Sequence, residues 1–195
     1  VGAFCLSEPE AGSDATSQQT SAIDKGDHYL INGTKNWITN GGRADVYLVI
    51  AQTDRHKGSH GINAFIVEKG MEGFHIGPKE NKLGIRGSDT HTLQFNDVKV
   101  PKENRIGDDG SGFRFAMRTL SGGRIGIAAQ ALGIASGAYE LALKYSKERK
   151  AFGTEICNHQ AVAFKLADMY VDIEAARHLV MKAAWDKDQG NNYDV

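Results

Sequence analysis

The residues best placed to do chemistry lie between Leu6 and Asp14, in the run Leu-Ser-Glu-Pro-Glu-Ala-Gly-Ser-Asp. Pro9 fixes its own backbone and favours an extended conformation at Glu8, so the run continues neither a strand nor a helix. Gly12 permits a positive φ, which would turn main-chain N–H groups toward one point, with the two serine hydroxyls beside them. The run therefore predicts a loop that cradles a ligand. An ordinary acidic surface turn is the alternative.

A second informative run, Trp37-Ile38-Thr39, follows a strand-like segment. A tryptophan beside a threonine offers a flat apolar face with a hydroxyl at its edge. That pair suits a planar heteroaromatic cofactor such as a flavin. Alternatively, Trp37 is a core residue, because a buried tryptophan removes a large apolar area from water.

Arg149 stands where a long helical pattern ends, and Phe152 and Gly153 follow it. A guanidinium there can bind a pyrophosphate as a fork, with Phe152 packing on an adenine or ribose. The alternative is a helix end with favourable basic residues. The chain contains no G-x-G-x-x-G, since Phe115 occupies the third glycine position after Gly110, and no Walker sequence. Any dinucleotide would therefore be held by loops and side-chain charge.

Up to about residue 110, short strand-like runs alternate with turns. Residues 20–24 and 28–32 flank Lys-Gly-Asp and predict a hairpin, and residues 46–51 and 62–67 predict core strands. Asn96-Asp97 interrupts an apolar alternation, as a bulge or a tight turn would. Because no helical run separates these strands, we expect an antiparallel sheet.

After residue 110 the apolar period becomes helical. Ser111 is a plausible N-cap for a helix that ends near Lys150, and a second helix is expected from about His159 to Lys187, with Gly190 as its stop. Two such helices cannot bury their apolar stripes in each other alone. The predicted class is α+β: an antiparallel β-domain over residues 1–110, then long helices over 111–195 that form half of a four-helix bundle.

Composition excludes several classes of protein. The 195 residues are 41% hydrophobic with a formal net charge of −1, which is typical of a globular protein and gives no basic surface for nucleic acid. No run of eighteen apolar residues predicts a membrane span. Cys5 and Cys157 suggest neither a disulfide framework nor a zinc site, and a reducing compartment is the default. His56 and His60 lack carboxylate support, so no metal site is expected.

Taken together, these runs resemble the acyl-CoA dehydrogenase family, most closely its short-chain, butyryl-type members. The residues that carry the resemblance are 5–14, 37–39, Lys-Leu-Gly-Ile-Arg-Gly-Ser at 82–88, Gly-Arg-Ile at 123–125 and Arg-Lys-Ala-Phe-Gly at 149–153. The family fold has an N-terminal helical domain, a middle β-domain and a C-terminal four-helix bundle. By this resemblance the chain would supply the β-domain and the first two bundle helices.

The resemblance also implies site residues. FAD would be lined by Phe4, Cys5, Leu6, Ser7, Gly12, Ser13, Trp37, Ile38 and Thr39. Arg149 and Gln160 would reach the FAD of a neighbouring subunit, with Phe152 also at the cofactor, which implies a homodimer or homotetramer. The acyl-CoA substrate would contact Ser13, Ser121, Gly122, Gly123 and Arg124.

The implied reaction is FAD-dependent α,β-dehydrogenation of acyl-CoA in fatty acid β-oxidation. A glutamate would take the α-proton, and the electrons would pass on to an electron-transfer flavoprotein. No glutamate here matches the family's base, and Gly123 occupies the helix position that some members use. The chain is thus interpreted as a fragment whose base lies beyond Val195. Alternatives are an acyl-CoA oxidase of the same fold and a flavin-free binding or assembly homologue. The bacterial cytoplasm and the mitochondrial matrix are both expected locations.

Overall fold

A computed structural model describes residues 1–193 of the chain. The chain forms two compact units, Val1–Arg118 and Thr119 onward. The first unit extends past the predicted boundary at residue 110 because Phe113, Ala116 and Met117, in the first turns of a helix, pack against a cluster of the sheet.

The first unit is an eight-stranded sheet. Its strands, in chain order, are β1 Gly2–Cys5, β2 Ser21–Asp24, β3 His28–Thr39, β4 Val46–Gln52, β5 Ile62–Glu68, β6 Phe74–Lys79, β7 Thr90–Pro101 and β8 Arg105–Ile106. Their spatial order is β6-β7-β3-β2-β4-β5-β8, with β1 also paired to β4. Short 3₁₀ turns span Ala15–Ser17, Arg55–Gly61 and Lys102–Asn104.

Most of the predicted strand pairing is confirmed. β2 and β3 form the predicted hairpin around Gly26, whose φ of 98° only glycine adopts readily. β4 and β5 pair antiparallel as core strands. The prediction of a wholly antiparallel sheet is wrong in one respect, because β1 runs parallel to β4 over four residue pairs and β2 joins β4 through one parallel pair. The intervening strands of the chain supply the long connection that a parallel pair needs, so no crossover helix is required.

The ladder between β3 and β7 contains two irregularities. The predicted bulge at Asn96-Asp97 is confirmed: Asp97 has a φ of 52°, and its N–H donates to Asn32 Oδ1 at 2.9 Å. A second bulge, between Lys35 and Ile38 of β3, was not predicted. Trp37 lies inside it with a φ of 61°.

Two apolar clusters hold the first unit together. The larger lies on the face that β3, β4, β5 and β7 share and includes Tyr29, Ile31, Tyr47, Phe65 and Phe95, all nearly inaccessible to water. Alternating inward positions of neighbouring strands produce this burial, as expected for a sheet with one covered face.

Helix α1 spans Gly112–Glu148 without interruption, and α2 spans Gln160–Asp188. Both predicted helices are confirmed, and Gly190 follows α2 with a φ of 73°. Between them lies an unpredicted two-residue hairpin, β9 Lys150–Ala151 with β10 Thr154–Glu155, followed by a 3₁₀ turn at Ile156–Asn158.

Helix α1 is long and apolar enough, by length and composition alone, to cross a bilayer, contrary to the expectation that no such segment exists. Helices from the core of a soluble bundle meet the same two criteria, because they too carry a broad apolar face. Large apolar side chains stay exposed on both helices, among them Ile127, Ile134, Leu141 and Leu179.

Candidate functional site

The bulge in β3 decides which side chains face outward. In a regular strand Lys35, Trp37 and Thr39 would share one face. The extra residue between Lys35 and Ile38 instead places Lys35 and Ile38 inward and leaves Trp37 and Thr39 exposed. Trp37 is 63% exposed, so the alternative of a core tryptophan is wrong. A positive φ is costly for a bulky side chain and points to a functional constraint at this residue.

The first loop directs one carboxylate into the protein. Glu8 pairs with Lys35 at 2.7 Å, and the two side chains are 2% and 0% exposed. The Lys35 ammonium also donates to Leu6 O at 2.9 Å and to Gln18 Oε1 at 3.3 Å. The loop was predicted to cradle a ligand, but the Glu8 carboxylate takes no part in such a cradle, because it is fully engaged inside the unit.

Electrostatics in this pair follow from burial and contact. Burial alone would raise the pKa of Glu8, but the Lys35 ammonium and hydrogen bonds from Thr20 and Gln19 outweigh it and lower the pKa below its usual value of 4.5. Burial lowers the pKa of Lys35, and the attraction of Glu8 opposes that shift. Burial also disfavours the charged form of the nearby Cys5 thiol and raises its pKa to about 12, so this thiol stays neutral and unreactive.

The remainder of the loop is open to solvent. Gly12 and Ser13 are exposed, and a Cβ built on Gly12 would meet no atom within 4 Å. The expected positive φ at Gly12 is wrong, since its backbone lies outside the left-handed region. Asp14 closes the loop by accepting hydrogen bonds from the hydroxyls of Thr16, at 2.7 Å, and Ser17.

The predicted FAD-lining residues of the first unit divide into two groups. Cys5, Leu6 and Ile38 have buried side chains, so only their main chain could touch a ligand. Phe4 is half-buried and packs against the smaller apolar cluster. A ligand at the surface could reach the side chains of Ser7, Ser13, Trp37 and Thr39 and the main chain of Gly12. Within residues 1–193, the hydroxyls of Ser7, Ser13 and Thr39 form no hydrogen bond, so all three remain available as donors.

In the second unit, the β9–β10 hairpin presents Phe152. Phe152 and Gly153 have φ values of 53° and 84°, the double positive φ of a two-residue hairpin turn. Phe152 is 98% exposed, and its ring lies perpendicular to the His159 ring, with centroids 6.0 Å apart. Arg149, just before the hairpin, and Gln160, at the start of α2, are exposed as well.

The predicted substrate residues of this unit lie on α1. Ser121 and Arg124 line a groove of about 290 Å³ between α1 and α2, together with apolar residues such as Ile125 and Val180. A Cβ on Gly122 would come within 3.0 Å of Lys187 Nζ, whereas one on Gly123 would meet nothing. In the part of the chain that the structure describes, no three histidine, cysteine or acidic side chains gather as a metal site.

Lys35, buried beneath the first loop, was not among the residues predicted from the sequence. A signal existed, because Lys35 continues the inward alternation of Tyr29 and Ile31 along β3. A lysine at an inward position requires a buried partner. Its partner, Glu8, lies in the loop that the sequence had already singled out.

Comparison with known proteins gives two family matches. The profile described as acyl-CoA dehydrogenase, middle domain, matches residues 3–98, and that described as acyl-CoA dehydrogenase, C-terminal domain, matches residues 110–194. The chain is 57% identical over 195 residues to a short-chain specific acyl-CoA dehydrogenase of Clostridium acetobutylicum, covering 100% of this chain and 52% of that protein.

Two solved structures are similar over the whole chain. One is the butyryl-CoA dehydrogenase of Megasphaera elsdenii, with 56% identity, a TM-score of 0.96 and 51% of that chain covered. The other is described as an electron transferring flavoprotein of Acidaminococcus fermentans, with 57% identity, a TM-score of 0.95 and 51% covered. The chain thus spans about half the length of the relatives that it matches.

Proposed function

Because the chain belongs to the acyl-CoA dehydrogenase family, we propose that it forms the middle β-domain and the start of the helical domain of an FAD-dependent acyl-CoA dehydrogenase. The observation that carries the proposal is the β3 bulge, which turns Trp37 and Thr39 outward together. An exposed indole beside a free hydroxyl is poorly explained by folding alone.

The residues present fit a flavin. An isoalloxazine ring is flat and apolar, with hydrogen-bonding atoms at its edge, and Trp37 offers it a matching face. Thr39 and Ser7 offer hydroxyls that no other described residue engages. The open space over Gly12 leaves room for a ligand to approach the main chain of the loop. Arg149 would hold the pyrophosphate of FAD as a fork, with the exposed Phe152 ring beside it.

When bound, FAD would accept a hydride from the β-carbon of the acyl chain. The chain's own residues would orient and shield the reacting groups. Thr39 would donate a hydrogen bond to the ring edge, and Trp37 would exclude water from one side of the ring. Ser13, Ser121 and Arg124 would bind the acyl-CoA, together with the main chain at Gly122 and Gly123.

The catalytic base needs a carboxylate within about 3 Å of the α-proton, directly or through one water. Glu8 does not qualify because it is locked to Lys35, and position 123 carries a glycine. We therefore keep the prediction that the base belongs to a part of the protein other than these 195 residues.

Similarity to the butyryl-CoA and short-chain enzymes supports a short acyl chain as substrate. Similarity to a structure described as an electron transferring flavoprotein supports such a flavoprotein as electron acceptor. Fatty acid β-oxidation, as the process that the family resemblance implies, is part of the same proposal. Homodimer or homotetramer assembly, with Arg149 and Gln160 reaching a neighbour's FAD, is part of the same proposal. So is a location in the bacterial cytoplasm or the mitochondrial matrix.

The test is Thr39→Val in the whole natural protein, with Thr34→Val in the same strand as the matched control. Thr39→Val should slow flavin reduction by butyryl-CoA by about tenfold, the effect of losing one aligned hydrogen bond of about 1.4 kcal/mol. Single-turnover absorbance at the flavin band measures this rate, and Thr34→Val should leave it unchanged. Equal rates in both variants would refute the role of Thr39. Fast reoxidation in air would favour the oxidase alternative, and a protein without a flavin band would favour the binding homologue.

A further inference from the structure

The Glu8–Lys35 pair is the one buried charge pair of the first unit that the proposed reaction does not use. Both side chains are almost fully removed from water. Removing two charges from water is costly, and an apolar pair of similar volume is often as stable. The pair is therefore weakly explained as a contribution to stability, and its contacts suggest another role.

The contacts are directional and link two specific segments. The Lys35 ammonium donates to Glu8 Oε1 and Leu6 O, and Gln18 Oε1 accepts its third hydrogen bond. The next residue of β3, Asn36, donates its N–H to Ser7 O at 2.8 Å. Three consecutive loop residues are thus attached to two consecutive residues of one strand.

The point of attachment is where the sheet's own register stops. Lys35 pairs with Leu93, and the ladder to β7 resumes only at Ile38. Over this gap the regular hydrogen bonds between β3 and β7 cannot set the register of β3. The interactions of Lys35 and Asn36 with the loop fix the register, two residues and one residue before Trp37. A side-chain hydrogen bond from Thr92 of β7 to Asn36 Oδ1, at 3.1 Å, assists them.

We infer that Lys35 is a positioning residue that uses the buried Glu8 carboxylate and the Leu6 carbonyl to hold the first loop in register with the β3 bulge. The two segments predicted to line the flavin are thereby kept in one arrangement before any ligand binds. The flavin part of this inference rests on the proposed function, whereas the link between loop and strand does not.

The test uses the whole natural protein and the double variant Glu8→Met, Lys35→Met, which replaces both charges with apolar side chains of similar length. The matched control makes the same changes at Asp24 of β2 and Lys102 in the turn after β7, an ion pair beside the first residues of β3. Two quantities are measured: the amide hydrogen-exchange rate of Asn36 in the flavin-free protein, and the FAD dissociation constant with the accompanying shift of the flavin absorption band.

The Glu8/Lys35 double variant should unfold cooperatively, with Asn36 exchange faster by about tenfold or more and FAD binding weaker by a similar factor. The control should leave both quantities within about twofold of the parent, within the usual scatter for distant sites. Parent-like Asn36 exchange together with parent-like FAD affinity in the double variant would overturn the inference. If this variant does not fold, the double variant Glu8→Gln, Lys35→Gln replaces it and keeps polar side chains at both positions. The same increase in Asn36 exchange and the same loss of FAD affinity are expected.

The two readouts separate this inference from the proposed function. A parent protein that binds no FAD would refute the proposed function. The amide hydrogen-exchange rate of Asn36 in the flavin-free protein would still test the link between loop and strand. Faster exchange with unchanged FAD affinity would overturn the positioning role, since the loop would then be loosened without consequence for the flavin.

Discussion

Replacing Trp37 by alanine and by glycine should reverse the usual stability order of those two residues. Both substitutions remove the indole, of which about a third is buried, so each should lose about 2 kcal/mol of apolar burial. They differ by one methyl group at a φ of 61°. An alanine Cβ in the left-handed region costs about 1 kcal/mol, and glycine avoids that cost. W37G should therefore be more stable than W37A by about 1 kcal/mol.

Lys99 provides the control position, because it is exposed on β7 and lies outside the positive-φ region. There the ordinary order applies, and K99A should be more stable than K99G by about 0.5–1 kcal/mol. Urea unfolding midpoints of the four variants, measured without cofactor, give both differences. The sign at position 37 should be opposite to the sign at position 99. W37A equal to or more stable than W37G would refute the claim that the backbone at Trp37 is strained.

Three further outcomes are expected. R149A should retain its thermal midpoint within a few degrees, because Arg149 is exposed, but lose FAD during gel filtration; full flavin occupancy would count against the fork. F152N should raise the flavin-free midpoint by the equivalent of about 0.5–1 kcal/mol, since asparagine tolerates the φ of 53°, and an unchanged or lower midpoint would contradict this. The pKa of Glu8 is lower in the folded than in the unfolded protein, so the unfolded state binds more protons and stability should fall as pH drops below about 4.5. The Glu8→Met, Lys35→Met variant should show a shallower loss, and equal acid slopes would be inconsistent with the shift.

Elements specified by neighbouring residues were predictable from the sequence. Lys25-Gly26-Asp27 predicted the first hairpin, Asn96-Asp97 predicted a bulge, and the 3.6-residue period predicted both helices. In each case the residues that dictate the backbone lie inside the element itself. Trp37 and Thr39 were selected from their residue chemistry, and the structure exposes both side chains, but their role at a flavin stays a prediction.

Features that depend on distant partners were not predictable. Glu8 and Lys35 are 27 residues apart in the chain, and although the alternation along β3 indicates an inward Lys35, nothing local identifies Glu8 as its partner. The parallel pairing of β1 with β4 depends on the arrangement of all the strands in the sheet. The β9–β10 turn was missed because phenylalanine at a positive φ is a poor turn signal.

Two unfavourable features lie two residues apart in β3, and their proximity is informative. Lys35 brings a buried charge, and Trp37 a strained backbone. Either would be easily lost if stability alone selected the sequence, because apolar residues at both 8 and 35, or a glycine at 37, would remove its cost. The strand tolerates both because inward residues on either side of the bulge, such as Ile31 and Ile38, anchor it in the larger cluster. The strand is well anchored, contains a costly bulge and is held to a loop by a costly ion pair. This arrangement is expected when a site must be formed before its ligand arrives.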